Sequence, residues 1–146
     1  MIKKIVKYKD FNGVEQEDEF YFHLTKGDLI DMASEEDGSL VDRLTSVSKE
    51  TDPIKIIPIM KKILINSYGI KSPDGKAFIK DPDEVKNFKY SQAFSELYIE
   101  LSTDADKAVE FIEGILPDFD EETQKAIDKA RKDFEKELEE AEEKNA

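Results

Sequence analysis

Apolar positions along this chain change period once, near residue 24. Before it, Ile5, Val6 and Tyr8 lie on one short run and Phe20, Tyr21 and Phe22 on another, with Asn12-Gly13 between them. Asn-Gly between two such runs is a strong hairpin signal, so residues 2–24 are predicted to form a β-hairpin. Charge supports the pairing. The first run carries Lys3, Lys4, Lys7 and Lys9, and the second carries Glu15, Glu17, Asp18 and Glu19. Each opposed pair contributes from a few tenths to about 1 kcal/mol. A lone hairpin is marginally stable, so this one is expected to pack on helices or to gain a strand from a partner.

Beyond residue 24 the period is helical. Thr25 and Asp28 make a capping box ahead of Leu29, Ile30 and Ala33. A loop is expected over 34–38, then a second short helix with Leu40, Val41, Leu44 and Val47 on one side. Asp52-Pro53 opens a third helix. Ile54, Ile56, Ile57, Ile59, Met60, Ile63, Leu64, Ile65 and Tyr68 occupy most of its circumference, which predicts burial by several neighbours. Pro58 predicts a kink or a late start. Gly69 is placed to end this helix in the left-handed conformation, and Ser72-Pro73-Asp74-Gly75 is turn chemistry. Asp81-Pro82, with Glu84, starts a fourth helix that is read as continuous to Leu101, with Tyr90, Phe94, Leu97, Tyr98 and Leu101 on one face. Ser102-Thr103 is read as ending it and capping the next, whose stripe is Ala105, Ala108, Val109, Ile112, Ile115 and Leu116. Pro117 stops that helix.

The last segment has a different pattern. Asp120 caps a helix predicted over 121–143, about 35 Å long. Its apolar residues, Ile127, Ala130, Phe134, Leu138 and Ala141, recur at coiled-coil-like spacing on a helix that is charged elsewhere. A seam that narrow forms a stable helix only against a partner or the core. These five residues are the candidate partner-binding residues. The fold class predicted is mainly α: a small helical domain with an N-terminal β-hairpin and a charged C-terminal helix. The domain boundaries expected are 1–117 for the helical core and 118–146 for the acidic helix. Deleting 118–146 is then expected to leave the core folded.

Composition narrows the functional classes. The net charge is −13, and residues 118–146 hold 12 acidic and 6 basic residues. Such a charge repels nucleic acid and anionic membranes, so neither is expected as a partner. No apolar run approaches the roughly 20 residues that span a bilayer, and the N-terminus lacks a signal-peptide apolar region. The absence of cysteine rules out disulfides and thiolate chemistry. A cytoplasmic location is expected.

Candidate chemistry is sparse. His23 is the single histidine, so a typical zinc site is out of reach. Asp104 and Asp106, like Asp81, Asp83 and Glu84, sit where carboxylates complement a helix N-terminus. Nothing marks a catalytic pair, and neither a cofactor nor a metal is expected. The sequence reads as a non-enzyme. The aromatics Phe20, Tyr21, Phe22, Phe88, Tyr90, Phe94 and Tyr98 read most simply as core, or as the lining of a groove for a partner helix.

Four stretches resemble a known family. They are Asn66 to Ile79, Phe20 to Lys26, Ser91 to Leu97 and Ser102 to Ala108, and in pattern and order they are similar to the tail assembly chaperones of long-tailed (siphovirus-type) bacteriophages and prophages. The resemblance covers residues 8–117. It implies a non-enzymatic chaperone of the infected host cytoplasm, absent from the mature virion. Such a protein binds and solubilises the tape-measure protein and helps recruit tail-tube subunits. A homo-oligomer is expected, because the hairpin edge and the C-terminal seam have no evident partner within the chain. The resemblance also implies a longer form made by a backward ribosomal frameshift, and Glu143-Lys144-Asn145 is compatible with the slippery codons GAA AAA AAC. The alternative reading is a small acidic inhibitor that mimics nucleic acid and binds a basic host protein.

Overall fold

The computed structural model describes residues 1–35, 38–46, 52–118 and 120–145, with 38, 39 and 53 described by backbone only. The chain divides into two compact units, Met1–His23 with Ser48–Leu116, and Leu24–Val47 with Pro117–Ala146.

The first unit is built on a sheet. Strands β1 (Ile2–Lys9) and β2 (Glu15–Phe22) form the expected hairpin, with Ile2 opposite Phe22 and Lys9 opposite Glu15. Its loop closes through Gly13 N–H to the Asp10 carbonyl, with Gly13 at φ +78°. The Asp10 carboxylate accepts from the amides of Asn12 and Val14 and from Gln16 Nε2. The Gln16 bond, then the Val14 amide, hold its pKa below the usual carboxylate value. The charge pairing read from the sequence is present: Lys3 lies 3.6 Å from Glu19, and Lys7 lies 3.9 Å from Glu17.

The Tyr8 hydroxyl donates to Asp18. That bond, with lesser contributions from burial and nearby charge, pushes the phenol from 10.0 up to about 12. Because the folded value lies above the unfolded one, the resulting stabilisation is complete below pH 10 and is lost as pH rises through about 12. Tyr8→Phe is expected to remove one late-titrating phenol from an ultraviolet pH titration and to flatten the loss of stability across that window.

The hairpin does not end the sheet. Strands β3 (Tyr68–Lys71) and β4 (Phe78–Ile79) add to it in the order β1-β2-β3-β4. Between them the expected turn forms: Gly75 N–H reaches the Ser72 carbonyl at φ +73°, and Asp74 accepts from Ser72 Oγ and from the Lys76 amide. Gly69 corrects the sequence reading. Among the described residues only Gly13 and Gly75 have positive φ. The helix ends at Ser67 with Tyr68 extended, and Gly69 lies in β3. A Cβ on Gly69 would stand 2.7 Å from the half-buried Phe78 ring, which would have to shift, so close approach and not φ favours glycine there. Gly69→Ala is expected to cost about 1–3 kcal/mol through overpacking, measurable in denaturant melts.

One face of the sheet is covered by helices. Helix α3 (Pro53–Ser67) starts at its Asp52 cap, whose carboxylate accepts from the Ile54 amide, so Pro58 does not delay it. Ile56, Ile59, Met60, Ile63 and Leu64 are buried, but Ile54 is 74% and Ile57 38% exposed. The expectation of burial on most sides therefore fails for one side of this helix. The next helical stretch is also corrected. It is two helices, α4 (Pro82–Lys89) and α5 (Gln92–Thr103), because Ser91 Oγ caps α5 by accepting from the Phe94 amide. The break turns Tyr90 outward, 66% exposed. Helix α6 (Ala105–Ile115) is capped by Asp104 instead of Ser102-Thr103, through the Lys107 amide. Its buried side includes Phe111.

Aromatic rings tie these parts together. Phe22 meets Phe88 at 5.6 Å and Phe111 at 5.1 Å, both edge-on, and Tyr68 stacks on Phe88 at 4.4 Å. The core reading therefore holds for Phe22, Phe88 and Phe94, which are buried, while Phe20, Tyr21 and Tyr98 are half-buried. His23, at the end of β2, is half-buried and donates its backbone N–H to the Ser67 carbonyl.

The second unit is helical. Helix α1 (Lys26–Ala33) carries the predicted capping box, Thr25 and Asp28 bonding reciprocally. Leu29, Met32 and Ala33 are buried on it. Helix α2 (Gly38–Thr45) begins at the last residue of the expected loop and buries Leu40, Val41 and Leu44. Residues 36 and 37 of the expected loop, and Val47, lie outside the described residues. Helix α7 (Glu121–Asn145) is capped by Asp120, whose carboxylate accepts from the Thr123 amide and hydroxyl and is held at a lowered pKa by them. Helix α1 packs against both α2 and α7. Leu24–Val47 cluster with Pro117–Ala146 in this unit.

Candidate functional site

The candidate seam runs along α7, and its five residues have different environments. Ile127 is 1% exposed, Ala130 and Phe134 are half-buried, Leu138 is 44% exposed and Ala141 is exposed. The first turns of the seam are taken up inside the unit, where α7 packs against α1. From Glu135 to Asn145 every residue is exposed. The seam is therefore an intramolecular contact at one end and uncovered at the other, and Phe134 marks the change.

Two features of α7 went unread in the sequence. Thr123 is buried one turn before Ile127. Its spacing of four was the available signal, hidden by a hydroxyl that here donates to Asp120. Arg131 pairs with Asp42 of α2 and, along its own helix, with Glu135 at 3.3 Å. Spacing predicts the second pair. The first joins residues far apart in the chain, and no local pattern marks it.

The uncovered end is strongly acidic. Between 135 and 143 the sequence has six carboxylates and one lysine. Its exposed apolar atoms are few and surrounded by charge.

Elsewhere, among the described residues, no group of three or more histidine, cysteine, aspartate or glutamate side chains is placed to hold a metal ion. Asp81 is engaged as a helix cap, as the spacing predicted, and Asp83 and Glu84 lie in the first turn of that helix, while Asp104 is engaged as the cap that the sequence had assigned to Ser102-Thr103. No described helix is long and apolar enough to cross a membrane.

Exposed apolar side chains recur in the first unit at Ile54, Ile70, Ile79 and Ile99. Singly exposed apolar side chains are ordinary on a protein surface and do not by themselves mark a site. The particular class follows from the whole sequence. The chain belongs to the phage tail assembly chaperones, since the family model of that description matches residues 1–146. Membership of a chaperone family points to a non-enzymatic role in tail assembly. No curated protein and no solved structure matches the chain.

Proposed function

We propose that this protein binds and solubilises the tape-measure protein in the cytoplasm of the infected host and helps bring tail-tube subunits to it. Family membership over the whole chain is the observation that carries this reading. A tape-measure protein is a long helix whose apolar stripes aggregate until the tube surrounds them. The exposed end of α7 supports a role in covering such stripes, with Phe134 and Leu138 as apolar contacts and the surrounding carboxylates keeping the complex in solution. Self-association belongs to the same reading, because a long client offers many equivalent binding places.

Co-expression tests it. A tape-measure fragment from the same phage should be recovered in the soluble fraction with this protein and in the pellet without it. Phe134→Asp should cut the recovered complex severalfold while the folded fraction is unchanged. A fragment that stays insoluble in every combination would defeat the proposal. Salt separates the nucleic-acid-mimic alternative: apolar binding persists as salt rises, whereas binding through rows of carboxylates collapses.

A further inference from the structure

Among the described residues, the sheet of the first unit has two strand edges without a strand partner, and their chemistry matches. Parity shows which backbone groups point to them. His23 N–H reaches the Ser67 carbonyl, and Tyr21 pairs with Gly69, so the odd residues of β2 direct their N–H and C=O groups toward β3. That pairing stops at Tyr21, while Ile70 and Lys71 pair with β4. Glu19, Glu17 and Glu15 continue the same edge beyond it. Where the strands part, a notch of about 410 Å³ opens between Glu19–Tyr21 and Tyr68–Lys71. On β1 the Asp10 N–H to Val14 carbonyl bond fixes the opposite parity: even residues bond to β2, and Lys3, Ile5, Lys7 and Lys9 point their backbone groups out of the sheet. Strand β1 is the terminal strand of the sheet.

We infer that β1 of one copy pairs antiparallel with the open edge of β2 of a second copy, which rests on the self-association proposed above. The outward-bonding residues of β1 are three lysines and an isoleucine, and those of β2 are three glutamates. Their side chains lie on the same uncovered face of the sheet, where all seven are exposed. Bonding parity restricts antiparallel pairing to odd residues opposite odd ones. Placing Lys3, Ile5 and Lys7 opposite Glu19, Glu17 and Glu15 aligns two lysines with two glutamates, whereas Ile5, Lys7 and Lys9 opposite the same three would put Lys3 at Tyr21, which Gly69 already holds. The symmetric alternative, β1 against β1, brings lysines together and is disfavoured by like charge. The contact satisfies two open edges at once. It is head-to-tail, so it builds a ring or an open chain of copies instead of a closed two-fold dimer.

The chain has no cysteine, which makes cross-linking specific. Full-length Ile5→Cys and Glu17→Cys proteins would be mixed in equal amounts and treated with a short bismaleimide, with sedimentation of the unmodified protein run over the same concentrations. The mixed dimer should exceed either self-linked dimer severalfold. Glu17→Pro should raise the dissociation constant of self-association at least tenfold, because it removes a donor that the fold itself does not use; if that variant unfolds, the cross-link alone decides. Oligomers that give Ile5→Cys self-links, or no mixed product, overturn the edge pairing and leave self-association standing. A monomer at every concentration overturns both.

Discussion

Leu97→Ala is expected to destabilise the protein by about 2–5 kcal/mol, and Leu64→Ala by a similar amount. Both side chains are fully buried. Leu97 lies on α5, which packs against β1, α3 and α6, and Leu64 lies on α3, which packs against α5 and α6. Truncation at either place removes three heavy atoms from a site walled by regular structure, so little collapse can refill the space. Against a total stability of about 5–15 kcal/mol, the loss is a large fraction. Denaturant melts measure it directly. Ile99→Ala is the control on the same helix. It shortens a side chain that is 57% exposed and should stay within about 0.5 kcal/mol. A loss below about 1 kcal/mol at Leu97 and Leu64 would show that α3 and α5 do not form the core.

Two truncations are expected to differ sharply. Removing 135–146 takes away positions that, where described, are all exposed. The melting midpoint should barely move, while the tape-measure binding proposed above should weaken with the loss of Leu138. Removing 118–146 also takes away Ile127 and Thr123, both buried, and the helix against which α1 packs. Leu29, Met32 and Ala33 on α1 are buried in the full chain. With α7 gone, α1 and α2 should loosen, and the loss of helical circular dichroism should exceed the 25 residues of α7. The remaining sheet and α3–α6 should still melt cooperatively, since they form a compact unit of their own. The expectation from sequence is that 1–117 stands intact, and this truncation tests it. Equal behaviour of the two truncations would mean that the buried end of α7 contributes nothing to α1 and α2.

The difference between those truncations reflects what apolar spacing conveys. Ile127, Ala130, Phe134, Leu138 and Ala141 form one stripe in sequence. Spacing places residues on a common face but does not state how far along that face a neighbour reaches. Helix α1 is only 8 residues long, so it covers part of a 25-residue helix and no more.

The elements whose causes are local were legible in the sequence. Thr25 with Asp28, Asp52, Asp81 and Asp120 cap helices where they were expected, because a side-chain oxygen and the amides it accepts from lie within three residues of each other. Asn12-Gly13 and Asp74-Gly75 turn the chain for the same reason. Tertiary structure decided what depends on distant residues. The second hairpin joins the sheet because Tyr21 and Phe22 of β2 offer an edge to β3, and strands of four and two residues have no strong pattern of their own. Gly69 is favoured by a ring nine residues away. Tyr90 faces solvent because Ser91 starts a new helix, where a continuous period would have turned it inward. The two matching strand edges emerge only once register and strand order are known, since the same lysines and glutamates read from sequence as an ordinary hairpin.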